Sequence, residues 1–238
     1  MTSRTATMAS ASPGTADTLT MTLFHSALCR DLERTRLLLG EPRHLTTRRR
    51  RRLGRHLLRV IHTLRWHHEG EDHDLWPLLL ERDPDCRTLL DQMQAEHGAI
   101  DEPLHRFEEA ARGLVAGRTA PHEALTALNA LEAPLRAHLA HEELEGMEVA
   151  GRLLSHEEWR SFEQRAWIDG YTVPESLRFL IWMSDGVDWQ DSVLRRLGLS
   201  PLLFRVVVKP FSSSARVPGL SVWAGTPAAH VGSRRVVA

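Results

Sequence analysis

Cysteine, net charge and long apolar runs are all scarce in this sequence, and each scarcity excludes a class of protein. The two cysteines, Cys29 and Cys86, are too few for a disulfide framework or a zinc-thiolate motif. No stretch approaches the roughly 18 apolar residues of a membrane-spanning helix, and no N-terminal apolar run is typical of a secretory signal. We therefore expect a cytoplasmic protein with no membrane partner.

The charge balance gives no reason to expect a nucleic-acid partner. The formal net charge is only −1 at pH 7, so no global field attracts a polyanion. One basic run, Arg48 to Arg52, stands out. Its five consecutive positions cover more than one helical turn and wrap the helix instead of forming one face. We interpret it as a solvated bundle end.

Histidine is abundant, with 14 residues, and one stretch, WHHEGEDHDLWPLLL, organises the interpretation. His67 and Glu71 stand four residues apart and fall on the same helical stripe as Leu64, Leu75 and Leu78. Both polar groups therefore face the core, where burial without a cation or partner would be costly. An imidazole and a carboxylate at this spacing can reach one common cation.

The same pattern returns near residue 140. His138 and Glu142 repeat the four-residue spacing and continue an apolar stripe. His25 and His97 each lie alone on a similar stripe, on two further predicted helices. Four helices with one inward histidine each predict a single shared metal site. Its predicted ligands are His25, His67, Glu71, His97, His138 and Glu142.

Several neighbouring residues leave the ligand set open. His68 and Asp72 form another pair at the same spacing, rotated by about 100°, and we place them outside the first set of ligands or at the surface. The pair His141 and Glu145, and also Asp101, could join or replace a ligand. Seven further histidines are interpreted as peripheral or solvent-facing: His44, His56, His73, His105, His122, His156 and His230.

The apolar periodicity and its breaks predict an all-α protein. Four helices are expected over about 19–39, 45–82, 86–115 and 121–154, separated by Gly and Pro. The short connections favour an up-down-up-down four-helix bundle. We divide the chain into a disordered leader (1–17), the bundle (18–154), a helical C-terminal extension packed on it (155–211) and a flexible tail (212–238). Arg30 and Arg34 are expected to form surface ion pairs.

The extension has its own pattern. Helices are predicted over 155–167, 174–183 and 187–197, the first capped by Ser155. Pro201 to Lys209 is ambiguous between helix and extended chain. Trp159, Trp167, Trp182 and Trp189 supply large apolar bodies that we expect to pack against the bundle.

The segments FHSALCRDL, HHEGEDHDLWPLL, EHGAID and HLAHEELE resemble the four helices of the bacterial hemerythrin-like, or HHE cation-binding, proteins. The resemblance covers about Leu19 to Leu154 in order and spacing. It implies that His25, His67, His97 and His138 are terminal ligands and that Glu71 and Glu142 bridge two irons. The oxygen carriers of the wider family have a second histidine on helix three, at the position of Met93 here. That departure argues against simple reversible oxygen carriage.

Donor chemistry agrees with two iron ions as the cofactor, with manganese or zinc as the alternative. A ferritin-like site would need two ExxH helices, and within the predicted helices only Glu102 and His105 have that spacing. A paired ferrous site suits dioxygen, hydrogen peroxide or nitric oxide as ligand or substrate, in sensing, detoxification or iron homeostasis. If the protein is an enzyme, a peroxidase-like, catalase-like or nitric-oxide-handling activity is expected. Storage of iron or oxygen without turnover, and a metal-free helical interaction module, are the alternative functions, and the oligomeric state stays open.

Overall fold

The computed structural model describes residues 16–187, 194, 200–208, 210 and 221–233. Within these residues the chain forms helices and no strand, which confirms the all-α class. Helix α1 spans Leu19–Gly40 and is followed by a 3-10 turn at Pro42–His44. Helix α2 spans Thr47–Gly70, and the Thr46 hydroxyl caps it by accepting a hydrogen bond from the Arg49 amide at 3.2 Å.

Two of the predicted long helices are interrupted by π-helical turns. After α2 the chain forms a π turn at Glu71–Leu75 and then α3, Trp76–Arg82. After a 3-10 turn at Pro84–Cys86, α4 spans Arg87–Ala116 and ends at Gly117, whose positive φ of 77° suits glycine. Helix α5 spans Pro121–His141, followed by a second π turn at Glu142–Gly146 and by α6, Met147–Leu153.

The apolar side chains form two main clusters at different heights of the helices. Helix α2 packs on α4, and α5 packs on both α1 and α4. The larger cluster, which we call the upper cluster, includes Leu57, Ile100 and Leu131. The second, the lower cluster, includes Leu79 and Met93. Along α2–α3 the chain passes from the upper to the lower cluster, along α4 it returns, and along α5–α6 it descends again. A polar layer lies between the two clusters.

The extension packs onto this framework through its aromatic side chains. Helix α7 spans His156–Glu163, with the Ser155 capping box predicted for it, and continues as a π turn at Gln164–Ile168. Helix α8 spans Val173–Ser184. Trp159 is fully buried in the lower cluster. The ambiguous segment after Pro201 is helical over Pro201–Leu203 and Phe204–Val208. The predicted helix over 187–197, with Trp189, falls almost wholly outside the described residues.

The two ends of the chain were predicted to be a disordered leader and a flexible tail. Residues 1–15 of the predicted leader lie outside the described residues. The flexible tail predicted over 212–238 needs correction for 221–233, where Val222 and Trp223 are buried in the upper cluster and a 3-10 turn forms at Pro227–His230. The Pro, Gly and Ser content concealed this packing. A short stretch of apolar residues between turns is enough to pack the segment on α1.

Arg30 and Arg34 also differ from the prediction, because both are buried instead of forming surface pairs. Their exposed fractions are 2% and 1%. Arg30 donates to the carbonyls of Asp185 and Trp182 at 2.6 and 2.8 Å, and Arg34 donates to the carbonyl of Val231 at 2.7 Å. These partners come from distant parts of the chain, which helical periodicity does not reveal.

None of the helices in the described residues is both long and apolar enough to cross a membrane.

Candidate metal centre

All six residues predicted as ligands come together in the polar layer between the two apolar clusters. They come from α1, from the end of α2, from α4 and from the end of α5, with each glutamate opening a π turn. None is more than 4% exposed. They are His25, His67, Glu71, His97, His138 and Glu142.

One half of the cluster joins α1 to α2. The Nε2 atoms of His25 and His67 lie 3.3 Å apart. His25 Nε2 is also 3.3 Å from Oε2 of Glu142, and His67 Nε2 is 3.0 Å from Oε1 of Glu71. Three donor atoms, from His25, His67 and Glu142, lie within 4.8 Å of one another, close enough to hold one ion.

The other half joins α4 to α5. The Nε2 atoms of His97 and His138 lie 3.1 Å apart. His97 Nε2 is 3.5 Å from Oε2 of Glu71, and His138 Nε2 is 3.7 Å from Oε2 of Glu142. Glu71 therefore directs one oxygen to each half, and Glu142 approaches an imidazole of each half. This is the arrangement expected of carboxylates between two cations.

Three acidic residues that the ligand prediction did not include hold the far side of the histidine rings. The Nδ1 atom of His25 lies 3.1 Å from Glu143, that of His97 lies 2.9 Å from Asp72, and that of His138 lies 3.0 Å from Glu96. A carboxylate on the second ring nitrogen fixes the tautomer and directs Nε2 toward the shared centre. Each of these acids is adjacent in the sequence to a predicted ligand. This adjacency was the sequence signal that could have identified them.

His68 was predicted to lie outside the first set of ligands or at the surface, and the structure buries it beside that set. It is 6% exposed, and its ring stacks on His97 with centroids 4.1 Å apart and planes 11° apart. Its Nε2 atom is buried without a hydrogen-bond partner, and His68 forms a possible ion-binding group with His97 and His138. The core-facing stripe of a bundle helix is wider than 100°, so adjacent residues can both face inward.

The other candidates lie outside the cluster. His141 bonds through Nδ1 to Glu96 at 2.8 Å, and its Nε2 is 3.6 Å from the carboxylate of Glu145. Asp101 is exposed, and so is His73, whose Nδ1 lies 2.8 Å from the carbonyl of Glu69. The structure thus separates these residues from the buried group.

Burial and mutual charge set the protonation of the cluster. Burial lowers the pKa of His67 and His68 well below the ordinary histidine value, so these rings are neutral and present free lone pairs. Burial alone would also lower the pKa of His25, but the charges of Glu142 and Glu143 and the hydrogen bond to Glu143 outweigh it and raise the pKa to about 9. Burial and the charge of Glu142 raise the pKa of Glu71 well above its usual range.

The missing hydrogen bonds of the two buried glutamates indicate that the donor set fits metal ions. Both carboxylate oxygens of Glu71 and both of Glu142 are buried and accept no hydrogen bond within the described chain. Such oxygens are costly unless a cation supplies the missing interaction. Four or five imidazoles and two carboxylates, all converging, match the preferences of iron, manganese or zinc.

The comparison with known families agrees with this geometry. The model of the hemerythrin HHE cation binding domain matches residues 18–148, more than half of the 238-residue chain. The searches of curated proteins and of solved structures find no match. The matched residues include all six predicted ligands and His68. The chain belongs to the hemerythrin HHE cation-binding family.

Proposed function

We propose that the protein holds a non-haem diiron centre that binds or reduces dioxygen, hydrogen peroxide or nitric oxide. The observation that carries the proposal is the pairing of two facing imidazole groups with two buried carboxylates that reach both groups. The alternation of the helices between the upper and lower clusters supports an up-down-up-down bundle around this centre. We place its action in the cytoplasm, in sensing, detoxification or iron homeostasis.

The choice of iron rests on the donor atoms. The converging side chains are nitrogen and oxygen donors, and neither cysteine belongs to the ion-binding groups found among the described residues. Zinc in structural sites prefers four ligands, often with thiolates, whereas two irons take larger coordination numbers. Manganese is the closest chemical alternative. His68 provides a fifth imidazole on the side of His97 and His138, where the family's oxygen carriers place the histidine replaced here by Met93.

The residues of this chain would prepare the site for redox chemistry. Iron bound there would supply electrons to a small oxidant. Asp72, Glu96 and Glu143 orient the imidazoles and increase their basicity. The ring of His67 lies beside the rings of Phe24 and Trp167, at centroid distances of 4.2 and 5.3 Å. A bound cation would displace the proton that burial favours on Glu71.

Metal loading tests the proposal. Anaerobic loading with ferrous iron, followed by metal analysis, should give about two irons per chain. His67→Ala and Glu142→Ala should lose iron, and His68→Leu should weaken binding of one iron by about tenfold or more in chelator competition. His73→Leu is the matched control, because His73 is exposed and lies outside the cluster.

The outcome also separates the alternative functions. Consumption of hydrogen peroxide by the ferrous protein supports turnover, whereas stable iron with no consumption of peroxide, dioxygen or nitric oxide supports storage. Iron below a tenth of an equivalent in the wild-type protein would overturn the diiron proposal in favour of a metal-free interaction module. Unchanged iron affinity in His68→Leu would remove His68 from the ligand set alone.

A further inference from the structure

A cavity of about 620 Å³ lies between α2 and α8, and residues 221–223 also line it. None of the predicted metal ligands lines it. We propose that this cavity binds a small organic anion that carries an aromatic ring. The proposal goes beyond the diiron function and does not depend on it.

Two guanidinium groups mark the place for the anionic part of the ligand. Arg59 on α2 and Arg178 on α8 both line the cavity, so the two charges come from different elements. Neither forms an ion pair with the residues that the structure describes. Partial burial, and then the like charges of Arg178 and Arg55, lower the pKa of Arg59, although both Arg59 and Arg178 remain exposed to solvent. An anion between Arg59 and Arg178 would relieve this repulsion and accept charge-assisted hydrogen bonds.

The acidic residues of the lining do not supply that anion. Asp31 is 2% exposed and is held by His56 at 2.6 Å and by Arg34 at 3.8 Å. Asp185 pairs with Arg34 at 2.5 Å. Glu175 uses its carboxylate in the capping box of α8 and attracts Arg178 only from beyond ion-pair distance. The unsatisfied charge that faces the cavity is therefore positive.

Aromatic side chains form the other walls and suit a flat ring. Trp66 and Tyr171 meet with centroids 4.6 Å apart and planes at 68°, and Phe179 and Trp182 meet with centroids 5.8 Å apart. All four line the cavity. Stacked and edge-to-face contacts with such rings favour aromatic ligands over aliphatic ones. The volume falls within the range of small-molecule sites, about 300–1,000 Å³.

Titration of the full-length protein, as purified, with 1-naphthoate tests the proposal by calorimetry. We expect saturable binding to one site, with the dissociation constant raised about tenfold or more in Arg59→Gln and in Arg178→Gln. Arg106→Gln is the matched control, because Arg106 is an exposed arginine on α4 that pairs with Glu102 at 2.8 Å. That variant should bind naphthoate like the wild type.

Two further probes separate the parts of the ligand. Neutral 1-naphthamide and inorganic phosphate should each bind at least about tenfold more weakly than naphthoate, because each lacks one of the two recognised features. Phosphate binding as tight as naphthoate binding would overturn the aromatic part of the proposal, and equal binding of naphthamide would overturn the anionic part.

The site of binding is tested separately from its chemistry. Absence of naphthoate binding by the wild type, or equal binding by Arg59→Gln and Arg178→Gln, would overturn the proposal. In the iron-loaded protein the visible absorption should not change on addition of naphthoate. A change in absorption that persists in both arginine variants would place the anion at the metal cluster. That result would also overturn the proposal. Calorimetry needs no iron, so failure of iron loading would leave this test intact.

Discussion

The buried charges of Glu71 and Glu142 determine the chemistry of the cluster. The described side chains that lie within ion-pair distance of them are all histidines, and two of these, His67 and His138, are neutral because burial lowers their pKa. Neutral rings cannot offset two buried negative charges. The cluster is therefore balanced either by protons, on Glu71 and His25, or by cations. Metal binding should replace these protons by cations. The affinity for metal should therefore be favourable at neutral pH and weaker in acid.

Asp31 gives a residue-scale prediction about stability. Burial would raise the pKa of this carboxyl, but Arg30, His56 and Arg34 together lower it well below its ordinary value. The stabilisation is therefore present above the unfolded-state pKa of about 3.9 and is lost as pH falls below it. Asp31→Asn should reduce the free energy of unfolding by about 3 kcal/mol at pH 7, because it leaves the buried Arg30 without its carboxylate partner.

Urea unfolding at pH 7 and at pH 3 measures this effect. The difference between Asp31→Asn and the wild type should shrink at pH 3. Glu33→Gln is the control, since Glu33 pairs with Arg36 at 3.5 Å through side chains that are 41% and 39% exposed, and it should change stability by less than about 1 kcal/mol. A difference for Asp31→Asn that grows in acid would contradict the assigned direction.

Spacing within one helix predicted which side chains share a stripe, and this was enough to bring six candidate ligands to one place. It could not predict contacts between helices. His68 stacks on His97 from another helix, and Glu96 reaches both His138 and His141 across a helix pair. These relations depend on rotation and axial offset of neighbouring helices, which no single periodic pattern encodes.

At the scale of elements, the sequence predicted the helices but not their π turns. The bounds of α1 and α4 differ from the expected ones by at most one residue at either end. Each HxxxE motif, however, ends at a glutamate that opens a π turn, Glu71–Leu75 and Glu142–Gly146. A π turn inserts one residue into the hydrogen-bond ladder and is often found at functional sites. It rotates the following residues, which lets α3 and α6 bury the lower cluster while the glutamates stay in the polar layer.

The close packing of α2 on α4 gives a prediction at this scale. A Cβ atom added at Gly54 would lie 2.6 Å from the carbonyl oxygen of Ala111 and 2.7 Å from Cγ2 of Val115. Because the first of these atoms belongs to the backbone, the helices would have to move apart. Gly54→Ala should therefore lower the free energy of unfolding by about 1–3 kcal/mol, measured by urea denaturation.

The matched control is Gly98→Ala in the middle of α4, where an added Cβ meets no atom within 4 Å. There alanine should raise stability by about 0.5–1 kcal/mol through helix propensity alone. Stabilisation by Gly54→Ala as well would show that the two helices are not in the contact described.

For the whole molecule, the extension is part of the core instead of an appendage. The lower cluster combines Met21, Trp76 and Met147 of the bundle with Trp159 and Phe162 of α7. An added Cβ at Gly70, just before the first π turn, would lie 2.9 Å from Cβ of Ala166 in the extension. The extension therefore covers the end of the bundle that carries the first HxxxE motif.

This shared core predicts that bundle and extension unfold together. Trp159 is fully buried, so Trp159→Ala should cost about 3–5 kcal/mol and lower the melting temperature of the bundle as well as of the extension. In thermal unfolding of the iron-loaded protein, far-UV circular dichroism and the visible absorption of the metal centre should be lost in one coincident transition, in the wild type and in the variant. Val173→Ala, at a position in α8 that is 83% exposed, should change stability by less than about 0.5 kcal/mol. Two separate transitions, with the metal absorption unaffected by Trp159→Ala, would instead mean that the helical bundle is stable without the extension, and that the lower cluster contributes little to the metal centre.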